Sequence, residues 1–332
     1  MRVTIRDVAH EAGVSVATVS RALRNLPSVA PATREKVRLV AERLEYVPDP
    51  YASRLGSTVA HTALVVVPFV GQWYYAQVVT GIEAVLSDAG YDMTLTVVGD
   101  AGQRQHFVND VLPSLRRVDG TIFVDVPFSE REIGSIIGLG SKVVAVGEHL
   151  PGIPGVSIDN EQAGFDATTL LLARGHRRIA LVGGLKDPEG DDTIPGLRTA
   201  GYRRAHEAAG IRVEESLLVS GNFSVIGGAE AATELLVRPD RPDAIFALSD
   251  EMAIGVISAA RDLGLSIPDD VCLLGFDDHE FSHGLGLSTV RQPVVEAGEA
   301  AAQMLLDVLA GKPAADVILP HEVRFRATTH EG

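Results

Sequence analysis

Residues 3–23 read V-T-I-R-D-V-A-H-E-A-G-V-S-V-A-T-V-S-R-A-L. Thr4 followed three residues later by Asp7 is a helix start in which a hydroxyl cap meets a short acidic partner. Ile5, Val8, Ala9 and Ala12 then fall on one helical face, and Gly13 ends the run. Ser15 caps a second helix reaching to about Leu23. The break between the two helices is only a few residues, so they must cross, which is helix-turn-helix spacing. Val19, Ala22 and Leu23 form the inward stripe of the second helix, while Val16, Ala17, Ser20 and Arg21 project from the other side. An outward Val and Ala suit contact with thymine methyls, and Arg21 is able to pair bidentately with a guanine edge. A third helix over about Ala32 to Glu45 repeats Val37, Val40, Ala41 and Leu44 at the helical period and closes a small core. Pro31 supplies its start signal, after an Ala30 that offers no side-chain cap.

Charge divides along the chain. The net charge is -15, yet residues 1–57 hold nine Lys/Arg against six Asp/Glu, a local +3, leaving -18 for the remainder. A modestly basic head before an acidic body is the asymmetry expected when one end meets phosphates and the rest must not. At 332 residues the chain is long enough for two or three compact units. Hydrophobic residues make up 46% and mean hydropathy is +0.16. No apolar run of about 18 residues could span a bilayer. Arg2, Arg6, Asp7 and His10 interrupt the opening where a signal peptide needs unbroken apolar sequence, so a cytoplasmic location without membrane contact is expected. Cys272 is the only cysteine, which excludes an internal disulfide and a cysteine-based zinc cluster. Its V-C-L-L setting reads as an interior strand.

Beyond the head, residues 46–58 form a linker. Asp49 is able to cap, and Pro50 to open, a short helix through Tyr51, Ala52, Ser53, Arg54 and Leu55, ended by Gly56; such a helix is too short to persist alone. From Thr62 onward apolar strands alternate with amphipathic stretches, beginning with T-A-L-V-V-V at 62–67. Gly90, Gly175, Gly210, Gly264 and Gly311 each follow a helical run, as glycine does at the left-handed position that ends helices. This alternation is an α/β pattern with parallel sheets, too long for one core. It suggests two similar subdomains with a ligand cleft outside the strand ends.

The head, with T-R-E-K-V at 33–37 and Y-V-P at 46–48, closely resembles the LacI/GalR family of bacterial repressors. V-D-G-T-I at 118–122, V-S-I-D-N at 156–160, G-H-R-R-I-A at 175–180, L-S-D-E-M-A-I-G at 248–255, G-F-D-D at 275–278 and L-S-T-V-R-Q-P at 287–293 resemble the same family's effector domain. The resemblance implies an all-α, lambda-repressor-like helix-turn-helix head and an α/β effector domain of the type I periplasmic-binding-protein-like fold. That domain has two doubly wound subdomains joined by three crossovers. The expected division is 1–47 for the head, 48–60 for a hinge helix and linker, and 61–332 for the effector and dimerisation domain. Its N-lobe is expected at about 62–161 plus 291–320, and its C-lobe at about 162–290 plus 321–328.

By resemblance Val16, Ala17 and Arg21 stand at base-reading positions. Ser15, Thr18, Ser20 and Thr33 serve as caps and phosphate contacts, and Thr4, Tyr46 and Ala52 complete the DNA-facing set. Leu55 occupies the position of a leucine that, paired with a second copy, wedges open the minor groove. The linker alone reads equally well as a plain tether.

In the effector domain the resemblance implies Arg198 as a clamp, Asp277 as a ligand-binding carboxylate and Phe223 as a stacking ring. Asp125, Glu148 and Gln292 join them. Asp278 reads as a structural cap. Asp159, Ser249 and Asp250 sit just past strand ends, where ligand contacts and helix N-caps use the same residue types. Trp73, Tyr74 and Tyr75 follow the first strand, at a place that serves either the effector or a subdomain or dimer contact. Arg198 has its own plain alternative, a surface ion pair.

An enzyme is disfavoured. No G-x-G-x-x-G follows the first strand, no P-loop or G-x-S-x-G elbow is present, and the ten histidines lack zinc spacing. Gly183-Gly184 and Gly227-Gly228 read as turns or helix starts. No cofactor or metal is implied. The expected partners are double-stranded operator DNA, a small polar effector, most simply a sugar, and a second copy of the chain in a homodimer or higher assembly; the expected function is a repressor, with an activator or dual regulator answering to a nucleoside or other metabolite as the alternative.

Overall fold

The computed structural model describes residues 3–23, 25, 27–46, 59–115, 118–184 and 193–329. Asp49, Pro50, Ala52 and Leu55 of the expected hinge lie outside the described residues. The chain divides into two compact units, Met1–Ala60 and His61–Gly332.

The small unit holds α1 (Ile5–Ala12), α2 (Val16–Leu23) and α3 (Pro31–Arg43). Gly13 takes φ 64°, the left-handed conformation that turns the chain out of α1 at no steric cost. Val8, Ala12, Val19 and Val37 are fully buried at the shared centre, with Ile5, Leu23, Leu44 and Tyr46 packed around them. The exposed Arg43–Glu11 pair between α3 and α1 adds little to that packing.

The large unit runs β1 (Thr62–Val67), α4 (Trp73–Asp88), β2 (Asp92–Val97), α5 (Ala101–His106), β3 (Gly120–Val124), α6 (Glu130–Gly138), β4 (Val143–Val146) and β5 (Gly155–Ile158). It continues with α7 (Asn160–Ala173), β6 (Ile179–Gly183), α8 (Ile194–Ala208), β7 (Leu218–Ser220), α9 (Val225–Leu236), β8 (Ala244–Ala247), α10 (Asp250–Asp262) and β9 (Cys272–Asp277). It ends with α11 (Glu280–Leu285), β10 (Ser288–Arg291), α12 (Val294–Leu309), β11 (Val317–Leu319) and β12 (Glu322–Arg324).

These strands form two six-stranded sheets, ordered β11-β5-β4-β3-β1-β2 and β12-β10-β9-β8-β6-β7. Among the described residues only the β10–β12 pair is antiparallel. The chain passes between the sheets after β5, after β10 and after β11. Central strands such as β4, T-A-L-V-V-V of β1 and A-I-F-A of β8 are dominated by buried apolar residues because helices cover both faces. Cys272 is buried within β9 among them. The five helix-ending glycines, Gly90, Gly175, Gly210, Gly264 and Gly311, all have φ between 68° and 95°.

Helix pairs approach closely through reciprocal glycines. A Cβ on Gly164 would lie 2.3 Å from the Arg198 carbonyl oxygen, and one on Gly201 2.1 Å from that of Glu161, so α7 and α8 touch backbone to backbone. Gly228 and Gly255 do the same for α9 and α10, and Gly81 and Gly298 for α4 and α12. Gly228 therefore does more than start a helix.

Asp278 does not cap α11. It pairs with Arg326 at 2.6 Å, and the cap is His279, whose Nδ1 accepts the Phe281 N–H at 3.0 Å.

Candidate DNA-reading helix and effector cleft

In the small unit, Ser15 Oγ accepts the Thr18 N–H at 3.1 Å and lies 2.8 Å from Thr18 Oγ1, which fixes the start of α2. Val19 and Ala22 point into the core, so the helical period turns Val16, Ala17 and Arg21 outward, and all three are exposed. Thr18, Ser20 and Thr33 are half-buried. Thr4 donates both its N–H and its hydroxyl to Asp7 Oδ2, at 2.8 and 2.7 Å. These bonds hold the Asp7 carboxyl below its ordinary range, and they leave the Thr4 hydroxyl proton engaged within the protein. Tyr46 packs against the head core, and its N–H donates to the Ala41 carbonyl at 2.8 Å.

In the large unit, the carboxyl ends of strands from both sheets converge on a cavity of about 370 Å³. Pro68 and Phe69 follow β1, Val98 and Gly99 follow β2, and Asp125 and Glu148 follow β3 and β4. From the other sheet come Asn222 and Phe223 after β7, Leu248 and Ser249 after β8, Asp277 ending β9, and Gln292 after β10. Convergence of strand ends is what a doubly wound fold offers a ligand. Asp125, Asn222, Phe223 and Asp277 all have positive φ without being glycine, so backbone strain concentrates on this rim.

Arg198 is the most constrained of the lining side chains. Its Nε donates to Asn160 Oδ1 and its guanidinium to the Leu248 carbonyl, both at 2.9 Å, while the planar group lies 3.5 Å from the centre of the Phe276 ring. The remaining N–H groups of the fork are thereby aimed by packing, as a preorganised clamp requires. Burial lowers the Arg198 pKa and the neighbouring Asp277 opposes that fall. Asp277 accepts from Gln292 Nε2 at 2.6 Å, and burial pushes its carboxyl up to about 8 against the pull of Arg198.

Opposite stand the aromatic and acidic groups of the first sheet. Tyr74 and Tyr75 line the cavity in an edge-on pair 5.3 Å apart, with Phe69 6.3 Å from Tyr75. Burial raises both phenols well above their ordinary value, and the Asp125 charge adds to it. Asp125 receives the Tyr74 hydroxyl, while its Oδ1 is sealed from solvent and accepts no hydrogen bond. Desolvation and the adjacent Glu148 push its carboxyl well above the usual range. Glu148 Oε1 accepts the Ile194 N–H at 3.1 Å, and Gln72 Nε2 donates to the Phe223 carbonyl at 3.3 Å. Each of these bonds joins the two lobes across the cleft.

Three expected cleft contacts are not in this lining. Asp250 is completely buried behind it, where Oδ2 accepts the His279 N–H and the Ser282 hydroxyl and Oδ1 accepts the Thr289 hydroxyl. Asp159 caps α7 through the Gln162 N–H at 2.8 Å. Trp73 lies against His279, ring centres 4.8 Å apart, and so bridges the lobes beside the cleft. Ser249 does line the cavity while capping α10 through the Met252 N–H. Sequence reasoning missed Phe69, Gln72, Arg104, Asn160, Asn222 and Glu251. Phe69 and Asn222 stand two residues past the ends of β1 and β7, so listing the residues just beyond every strand end would have found them. Arg104 sits within α5, and nothing in its local pattern marks it.

The profile of the lacI family of bacterial regulatory proteins matches residues 4–49, and that of the periplasmic binding protein-like domain matches residues 168–329. The chain is 37% identical to catabolite control protein A of Priestia megaterium, over 99% of this chain and 100% of that protein. Its fold is similar to that of the lac repressor dimer bound to operator and the anti-inducer ONPF, with a TM-score of 0.87 and 25% identity over 99% of each chain. It is also similar to the transcriptional regulator CelR in complex with cellobiose, with a TM-score of 0.71 and 30% identity over 98% of this chain and 100% of that one. A helix-turn-helix that exposes Val16, Ala17 and Arg21, and a two-lobed α/β unit whose strand ends enclose a polar cleft, accord with these likenesses: the chain belongs to the lacI family of bacterial regulatory proteins, DNA-binding regulators of transcription.

Proposed function

We propose that this regulator is a repressor that reads a palindromic operator as a homodimer and is controlled by a small polar effector, most simply a sugar, held in the cleft. The observation that carries the effector reading is the arrangement around Arg198. A guanidinium fixed by Asn160, the Leu248 carbonyl and the Phe276 ring faces the same cavity as Asp277, Gln292, Asp125 and Glu148. Such a set supplies planar donors and carboxylate acceptors for hydroxyl groups, and Tyr74, Tyr75 and Phe223 supply faces for the apolar sides of a pyranose ring. The related CelR structure holds cellobiose. A nucleoside is the second reading, favoured by the aromatic rings of Phe69, Tyr75 and Phe223 along one cavity.

On the DNA side, Val16, Ala17 and Arg21 read base edges, and Ser15, Thr18, Ser20 and Thr33 position the head on phosphates. Leu55, with Ala52 beside it, enters the minor groove when two hinges meet. The functional division is head 1–47, hinge 48–60 and effector and dimerisation domain 61–332. The lac repressor relative is a dimer on its operator. In this chain Ile226 and Phe281 are 73% and 59% exposed, which leaves apolar surface for a second copy.

A melting-temperature screen against sugars and nucleosides tests the cleft, because a ligand of the folded state stabilises by mass action. Hits are then added to an operator gel shift. The proposal predicts that a hit changes operator affinity and that Arg198→Lys, which keeps charge but loses the planar fork, weakens that response. A hit that leaves operator affinity unchanged at saturation would count against control through the cleft.

A further inference from the structure

Helix α4 begins at the cleft without a side-chain cap of its own. Gln72 stands at the N-cap position and makes no side-chain bond to the first turn. Its Nε2 instead crosses the cleft to the Phe223 carbonyl at 3.3 Å. That carbonyl belongs to a turn in which Asn222 and Phe223 have φ of 50° and 46°, a left-handed pair that costs energy unless its surroundings hold it. The N–H of Trp73, the first residue of α4, is received by the carboxylate of Glu251, which stands on α10 in the other lobe. A carboxylate at a helix N-terminus satisfies an open donor and meets the positive end of the helix dipole. Helix α4 is therefore capped from the opposite lobe.

The Trp73 ring makes a third crossing. It lies 4.8 Å from the His279 ring, which also meets Phe281 at 4.9 Å and whose Nδ1 accepts the Phe281 N–H. The orientation of His279 is thus set within its own lobe, and Trp73 docks on it. Trp73 Nε1 is sealed from solvent and has no acceptor among the described residues. An unpaired indole N–H opposes the stacking and would gain water if the lobes parted, so the cap from Glu251 carries much of the hold.

We propose that Gln72, Trp73, Glu251 and His279 act as one latch that sets the separation of the lobes, with Glu251 and His279 as positioning residues that work through the start of α4. Parting the lobes uncaps α4, frees the Phe223 turn and unstacks Trp73 together, because these contacts lie on two consecutive residues at one helix end. The latch is a property of the lobes and stands whatever occupies the cleft. Glu251 also lines the cavity, so an occupant meets the latch directly.

Hydrogen exchange and tryptophan emission of the full-length protein, with no effector added, test this. The Ile194 N–H, which donates to Glu148 across the cleft and is not part of the latch, reports lobe separation at a distance. Glu251→Ala and His279→Asn, the latter keeping an acceptor able to cap α11, are each expected to raise its exchange about fivefold, the factor that one lost helix cap carries. The core strands β8 and β9 should stay protected. Glu251→Ala should also shift the emission of Trp73, the only tryptophan, to longer wavelength, although it removes nothing from the ring. Ser129→Ala, which removes a cap inside one lobe, should leave both readouts unchanged. Glu251→Gln keeps a carbonyl acceptor of similar shape, and exchange at Ile194 should then fall between the parent and Glu251→Ala. Unchanged exchange at Ile194 in both Glu251→Ala and His279→Asn, or an equal rise in Ser129→Ala, would overturn the latch. A rise that spreads to β8 and β9 even in Glu251→Gln would make Glu251 a structural residue of its own lobe and overturn it as well.

Discussion

Replacing Asp250 with alanine should destabilise the large unit without removing a ligand contact. Its carboxylate accepts three hydrogen bonds at 2.7–2.8 Å, from the His279 N–H and from the Ser282 and Thr289 hydroxyls, and none of its surface is exposed. These bonds tie the start of α10 to the start of α11 and to β10, the elements on either side of Asp277 and Gln292. Hydrogen bonds to a charged group contribute about 1.5–3 kcal/mol each, but two of the donors are hydroxyls that are able to rotate towards other acceptors. Burial also pushes the Asp250 carboxyl up to about 7, so part of the population is already neutral at physiological pH. A net cost of about 3–5 kcal/mol follows, in line with truncation of one partner in a buried polar network. At about 2–4 °C per kcal/mol for a large domain, the melting temperature should drop by roughly 6–20 °C. The assay is a calorimetric melt, paired with effector titration at a temperature where the variant is fully folded. There the dissociation constant should change by less than about threefold, since the side chain lies behind the cleft and not in it. An unchanged melting temperature together with a tenfold loss of effector affinity would refute this reasoning and return Asp250 to the ligand contacts.

Three other outcomes follow from the same geometry. Asp250 and Asp277 titrate at about 7 and about 8 in the folded protein, against 3.8 when unfolded. The folded state therefore retains protons that the unfolded state releases, and their contribution to stability is lost as pH rises from about 4 to about 8. His206 and His279, lowered by burial, act in the opposite sense near pH 6.5. The diagnostic measurement is thus the difference in melting temperature between Asp277→Asn and the parent at pH 5.5 and pH 8, which should shift in favour of the variant at the higher pH. Gly255→Ala, whose Cβ would lie 2.1 Å from the Val225 carbonyl oxygen, should cost about 1–3 kcal/mol in urea unfolding. Gly134→Ala, on α6 with nothing within 4 Å, should stabilise by about 0.5–1 kcal/mol; equal effects at the two sites would remove the close-packing account. Arg21→Ala should weaken operator binding by about 1–3 kcal/mol and relax preference at a single base pair, which a competition assay with single-base operator variants reads directly.

Much of the architecture is visible in the chain because it is written in local signals. The capping pair Thr4 and Asp7, the stop at Gly13 and the alternation of apolar strands with glycine-ended helices each involve residues close together in sequence. The cleft is different. Ser249 and Asp250 are adjacent in sequence, yet one lines the cavity and the other is buried behind it. Both stand at the start of α10, where the same chemistry suits a cap, a tether or a ligand contact, and only the packing of α11 and β10 separates these roles. Trp73 and Tyr74 diverge for the same reason, one meeting His279 and the other the cavity.

Sequence alone determined that this protein has a helix-turn-helix head and a two-lobed α/β body, since caps, stops and hydrophobic periods act over a few residues. It also placed Val16, Ala17 and Arg21 on one outward face, since their spacing along a single helix decides that. Tertiary structure alone decided which strand-end residues meet. Asp125 and Glu148 become neighbours because β3 pairs with β4, and Arg198 faces Asp277 because Gly164 and Gly201 let α7 and α8 close on each other. Those relations join residues far apart in the chain, and only sheet order and helix packing bring them within reach of one ligand.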